Sequence, residues 1–139
     1  MSDEGVIKFK LTWKREPPMA YHFISALNEW RDSLYKAGLI GKDQQGIGYG
    51  NISCRLDKNS FIITGSGTGS LEQLASEHYA RVTAYDLCEN SLESTGPVKA
   101  SSESMTHAAV YETIPGCNAV FHVHHLDLWE ALLVRPPST

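Results

Sequence analysis

The sequence predicts an α/β domain in which a mixed sheet is flanked by helices. Three observations carry this expectation. Apolar residues recur at helical spacing in two separate segments, near 19–34 and 101–114. Between them lie consecutive strand-like runs, "NISCR", "FIIT" and "RVTAYDL". Another such run, "AVFHVH", follows the second helical segment. Consecutive strands interleaved with helices give a mixed sheet covered by helices.

Residues 1–18 read as an N-terminal arm, with a short strand over Val6–Trp13 and Pro17-Pro18 ending it; residues 19–139 read as the domain. Met19, Phe23, Leu27, Trp30 and Leu34 define a helix with a core-facing stripe, Pro18 suiting its first turn and Gly38 its C-terminal end. "GIGYGNISCR" leads into a strand at Asn51–Arg55, and a turn at 57–60 leads to a buried strand at Phe61–Thr64. Residues 65–70, "GSGTGS", form a tight loop, and Leu71–Leu74 a single helical turn. Arg81–Leu87 alternates apolar and polar residues as a strand does, and "ENSLESTGPVKA" reads as a hairpin segment. Ser101 or Ser102 caps the second helix, Glu103 suits its positive first turn, and Pro115-Gly116 stops it. Ala119–His124 reads as a buried strand, and "LDLWEALL" as a short helix capped near Asp127.

The totals exclude several classes. At 139 residues the chain makes one domain with a core. Its net charge is −4 and it has no basic stripe, which argues against nucleic acid as the main partner. No apolar run approaches the length of a membrane span, and "MSDEGVIKFK" lacks the apolar segment of a signal peptide. Cys54, Cys88 and Cys117 are odd in number, widely spaced and form no CxxC, so a reduced, cytoplasmic location is expected.

Two constellations could carry chemistry. His122 and His124 alternate along one strand and so share a face, as two metal ligands would. Glu103 and His107 stand four apart on the preceding helix and share a face there. Two imidazoles and a carboxylate make a workable first shell for catalytic zinc. The spacing equally suits hydrogen-bonded strand histidines, with Glu103 a helix-end charge and His107 a packed residue. His125 should face away from the pair, and His22 and His78 have no ligand-like neighbours. The second constellation is anionic recognition, from "GYGN", "TGSGTG" and the serines that open the second helix. No GK[ST] follows the glycine loop, so it is not a nucleotide P-loop.

Taken in order, "GYGNISCR", "FIITGSGTG", "KASSESMTHAAVY" and "NAVFHVHH" resemble the class II aldolase/adducin family, which includes fuculose-phosphate aldolase and ribulose-phosphate epimerase. The resemblance covers about residues 20–139. It implies a three-layer αβα fold around a mixed, largely antiparallel sheet. It implies a divalent metal, zinc above all, on His122 and His124, with Glu103 at the metal as acid/base. Ser101, Ser102, Gly50 and Asn51 would hold the substrate phosphate, with Ser66 and Gly67 adding contacts from a loop one residue longer than usual. The implied activity is aldol cleavage of a small phosphorylated ketose through a zinc-stabilised enediolate. Epimerisation or dehydration on the same site, and a non-catalytic adducin-like interaction module, are the alternatives. The implied assembly is a homotetramer. Family members run well past 200 residues and bring a third metal histidine from their C-terminal part. No histidine follows position 125, so a chain lacking that part is expected.

Overall fold

A computed structural model describes residues 8–133. Six strands form one sheet: β1 (Lys10–Arg15), β4 (Asn51–Asp57), β5 (Ser60–Thr64), β6 (Tyr79–Asp86), β7 (Ser91–Gly96) and β8 (Ala119–His122). Their order across the sheet is β1-β7-β6-β5-β4-β8. Only β1 on β7 is parallel, and every other pairing in this sheet is antiparallel. The sheet is thus mixed and largely antiparallel. A two-strand ribbon, β2 (Gly41–Lys42) with β3 (Gly48–Tyr49), stands apart from it.

The helices are α1 (Ser25–Lys36), α2 (Ser104–Thr113) and α3 (Leu126–Leu133). Two apolar clusters show the layering. Phe61, Ile63, Val82 and Leu92 of the sheet pack with Met105, Ala108 and Tyr111 of α2. Ile52, Ile62 and Tyr79 pack on the other face with Ile24 and Leu27 at α1. Neighbours in β5 therefore face opposite helices, which is why "FIIT" is apolar without alternation. The result is helix, sheet, helix.

Several expectations need correction. Leu71–Leu74 is irregular chain, and the helical turn of this segment is a 3₁₀ turn at Ser76–His78. The first strand lies at Lys10–Arg15, not Val6–Trp13, and pairs with β7 inside the main sheet, where Trp13 Nε1 donates to the Gly96 carbonyl at 3.1 Å. The segment read as an arm thus supplies a strand; residues 6 and 7 lie outside the described residues. The first helix begins at Ser25, after a 3₁₀ turn at Tyr21–Phe23. That turn shifts the helical phase, so Ile24, Leu27 and Arg31 are buried while Phe23 and Trp30 are exposed. Arg31 lies outside the expected stripe, and an arginine is rarely fully buried. Finally, β8 ends at His122 and is half exposed, because it forms the sheet edge beside β4.

The glycine-rich segments pack backbone against backbone. A Cβ on Gly69 would stand 2.8 Å from the Tyr49 carbonyl oxygen, and one on Gly48 would stand 2.8 Å from the Ser70 nitrogen. "GYG" and "SGTGS" are therefore glycine-rich partly because they lie on each other.

Candidate functional site

The topology gathers the predicted residues at one end of the sheet. β4 and β5 are antiparallel neighbours, so Gly50 and Asn51, where β4 begins, lie beside the loop that leaves β5 at Gly65. β8 runs antiparallel on the other side of β4 and ends there too, with His122 opposite Asn51. The segment before α2 joins the same end. Gly65 bridges to Ala100, the Ser66 amide donates to the Lys99 carbonyl at 2.8 Å, and the Ser101 amide donates to the Thr64 carbonyl at 3.2 Å.

His122 and His124 are neighbours, with ring centroids 5.0 Å apart and the ring planes at 45°. Two imidazoles sharing one tetrahedral zinc, each with nitrogen at about 2.0–2.1 Å, put their centroids about 5 Å apart. The separation is therefore compatible with a shared cation. His124 lies just past β8, where its amide donates to the Leu39 carbonyl at 2.9 Å and its ring stacks on Tyr49 at 5.0 Å. Burial lowers its pKa, His122 lowers it further, and the Glu103 carboxylate opposes both. Glu103 is thus close enough to act on His124 electrostatically. It is half-buried at the N-cap of α2, and its carboxylate makes no hydrogen bond among the described residues. Among the described residues no three His, Cys, Asp or Glu side chains are gathered closely enough to hold a metal ion. The structure assembles the imidazole pair and leaves Glu103 beside it.

The other histidines take structural places. His78 Nδ1 accepts the Ala75 amide at 2.8 Å, and His125 Nδ1 accepts the Leu128 amide at 3.1 Å. His125, not Asp127, therefore caps α3. His107 is fully buried between α2 and β4. Its Nε2 lies 2.5 Å from Asn51 Oδ1, and its Nδ1 lies 2.6 Å from Ser53 Oγ, which lies 2.7 Å from the Tyr111 hydroxyl. Asn51 Nδ2 in turn lies 3.3 Å from His122 Nδ1. Both ends of the Asn51 amide are engaged by imidazoles.

Burial pushes the pKa of His107 down to about 3, with nearby His122 adding to the effect. The unfolded chain takes up a proton there from about pH 6.5 downward. The folded chain does not until far lower pH, so acid favours unfolding. This group alone should remove about 2 kcal/mol of unfolding free energy between about pH 6.5 and pH 5. Urea melts at both pH values should show that loss in the parent and a much smaller one in His107→Gln. Equal losses in the two proteins would contradict the assignment.

The anion-binding residues divide into held and open groups. Ser101 is buried, with its Oγ accepting the Glu103 amide at 3.1 Å and its carbonyl accepting the Ser104 hydroxyl at 2.7 Å. Serine at 101 thus shapes the turn into α2, but the N-cap position itself falls on Glu103, not on Ser101 or Ser102 as expected. The hydroxyls of Ser66 and Ser102 have no protein partner among the described residues, and Gly67 is exposed. Arg31 of α1 fixes this loop from beneath. Its guanidinium donates to the carbonyls of Thr68 at 3.0 Å, Gly69 at 3.3 Å and Glu72 at 3.2 Å. Burial lowers the pKa of Arg31. An open cleft of about 1070 Å³ adjoins the pair, lined by His122, His124, Tyr49 and Lys42 on one side and α3 on the other.

Ser53, Tyr111 and Arg31 were not among the predicted site residues. Two of them carried a signal. Ser53 lies two residues after Asn51 and so shares its strand face, and Tyr111 extends the Glu103, His107 helix face by one more turn.

Comparison with known proteins accords with this geometry. Residues 37–129 match the Class II Aldolase and Adducin N-terminal domain. Over 77 residues the chain is 39% identical to 3-oxo-tetronate 4-phosphate decarboxylase of Haemophilus influenzae, covering 55% of this chain and 33% of that protein. Over 79 residues it is 37% identical to methylthioribulose-1-phosphate dehydratase of Acidiphilium cryptum, covering 54% and 33%. The solved structure of YgbL from Klebsiella pneumoniae, whose description spans aldolase, epimerase and decarboxylase, superposes with a TM-score of 0.56 at 27% identity. That match covers 76% of this chain and 46% of YgbL. The Escherichia coli YgbL structure shares the fold, with a TM-score of 0.56 at 24% identity over 75% of this chain and 44% of its own. The chain spans about a third of the length of the curated relatives it matches. With the family's domain matched across two-thirds of its length, the chain belongs to the class II aldolase and adducin family.

Proposed function

We propose that the chain carries the cation- and phosphate-binding part of a lyase acting on a small phosphorylated ketone. The observation that supports this most is the close pair His122 and His124, at the sheet end that also holds the Ser66–Gly67 loop and the Ser101–Ser102 turn. His122 and His124 would hold a divalent cation, and two imidazole donors suit zinc. When bound, the cation supplies Lewis-acid stabilisation of negative charge developing beside a ketone. Glu103, beside the pair and with a carboxylate that makes no protein hydrogen bond among the described residues, is the group to take and return a proton at the neighbouring carbon. Ser66, Gly67, Ser101 and Ser102 would grip the phosphate, with Gly50 and Asn51 forming the floor of that site. Binding energy from the phosphate then holds the reacting carbons in register.

The resemblance implies aldol cleavage. The H. influenzae relative is named for loss of carbon dioxide and the A. cryptum relative for loss of water. All three reactions share one demand: an electron pair left beside a ketone must be stabilised while the substrate is anchored. Aldolase chemistry remains our reading, with decarboxylation, dehydration and epimerisation as products the assay distinguishes. A cytoplasmic homotetramer belongs to the same reading. Three free cysteines support the compartment, and the exposed apolar side chains of α3, Leu126, Leu128, Trp129 and Leu132, support the assembly. Among the described residues no helix is long and apolar enough to cross a membrane.

The test is product analysis of the chain with zinc and a panel of phosphorylated ketoses and 3-oxo acids. Turnover of at least one, abolished by chelator and restored by zinc, is the expected result. Turnover unaffected by chelator would contradict the cation's role. Absence of both turnover and cation binding would favour the non-catalytic module.

A further inference from the structure

A hydrogen-bond chain links the core to His122. It runs Tyr111, Ser53, His107, Asn51, His122, with contacts of 2.7, 2.6, 2.5 and 3.3 Å. Its inner members are buried: Ser53 and His107 are 0% exposed, Tyr111 2% and Asn51 8%. Water cannot freely replace their partners, so each contact needs one donor and one acceptor.

The Asn51 amide fixes the direction. Its Oδ1 faces His107 Nε2 and its Nδ2 faces His122 Nδ1. His107 Nε2–H therefore donates to Asn51, and Asn51 donates to His122 Nδ1. His107 Nδ1 is left as the acceptor of the Ser53 hydroxyl, which accepts from Tyr111 in turn. A neutral His122 receiving at Nδ1 carries its proton on Nε2. Yet Nε2 is the nitrogen left for a cation, since Asn51 occupies Nδ1.

We propose that the chain is a polarity switch that positions His122: a cation on Nε2 reverses it, and His107 reports the reversal. With the cation bound, His122 carries its proton on Nδ1 and donates it to Asn51 Oδ1, the amide having turned by half a revolution. Asn51 Nδ2 then donates to His107 Nε2, His107 holds its own proton on Nδ1 and donates to Ser53, and the Ser53 hydroxyl turns to donate to the Tyr111 oxygen, whose own proton rotates away. Asn51, His107 and Ser53 are positioning residues in this scheme, none of them touching the cation. The inference rests on the reading that His122 and His124 bind a cation.

The test uses the chain labelled with ¹⁵N at histidine, observed by NMR with and without saturating zinc. The tautomer of His107 is read from its nitrogen shifts and couplings. The expected result is protonation at Nε2 without zinc and at Nδ1 with it. His107 protonated at Nε2 in both states, in a chain that binds zinc, overturns the switch and leaves the cation reading intact. A chain that takes up no zinc overturns both. Competition titration of two variants gives a second readout. Asn51→Leu should bind zinc about 10–100-fold more weakly, the usual effect of losing a ligand's outer partner. Asn51→Asp accepts from both imidazoles at once, so it should bind zinc at least as tightly as the parent. Its His107 should stay protonated at Nε2. Equal weakening in the two variants would contradict the switch.

Discussion

Replacing Arg31 with methionine lowers the unfolding free energy by about 3 kcal/mol, because three buried or half-buried carbonyls lose a charged donor. Arg31 sits on α1, yet all three acceptors lie in residues 68–72, directly after the Ser66–Gly67 segment. Methionine fills most of the volume and relieves the cost of burying a cation, so the loss comes from the stranded carbonyls. Lysine is not a conservative substitute, since one ammonium cannot match the planar fork that spans Thr68, Gly69 and Glu72. Urea melts measure the stability term. Inorganic phosphate binding measures the functional term and should weaken in Arg31→Met and Arg31→Lys alike. Undiminished phosphate binding by a folded Arg31→Met protein would show that the loop does not depend on this clamp.

Replacing His124 with alanine weakens zinc binding by more than about 100-fold, beyond what outer-partner changes alone cause. The ring is exposed and carries one stacking contact, with Tyr49, so the fold should lose only about 1 kcal/mol. That separation is informative. A large loss of affinity with a small loss of stability marks a ligand, and the reverse marks a structural histidine. Isothermal titration with zinc and a urea melt on the same preparation decide between them. His122→Ala should lose affinity similarly and should also free Asn51 Nδ2.

The sheet and its two covering helices were legible in the sequence because periodicity reports burial. "FIIT" shows no alternation because both faces of β5 are covered, and α2 starts close to where its serines predict. The family's motifs, far apart in the chain, come together at one end of the sheet. The phase of α1 was not legible. A short 3₁₀ turn precedes it, and its buried stripe includes an arginine whose partners are backbone carbonyls some 40 residues away. No local pattern announces such a partner. The edge position of β8 was hidden for a similar reason, since "AVFHVH" reads the same whether one strand or two flank it. The role of Asn51 was obscured by the motif itself. The glycine before it points to a phosphate loop, and nothing local shows that its amide also bridges His107 and His122.

The most direct test of the account is the metal content of the protein purified without chelator, beside His122→Ala/His124→Ala prepared in parallel. The account predicts about one zinc or similar ion per parent chain, as a site built on deprotonated imidazoles should retain, and almost none in the double variant. Fewer than about 0.1 ion per parent chain after supplementation with zinc, or equal content in both proteins, would contradict it.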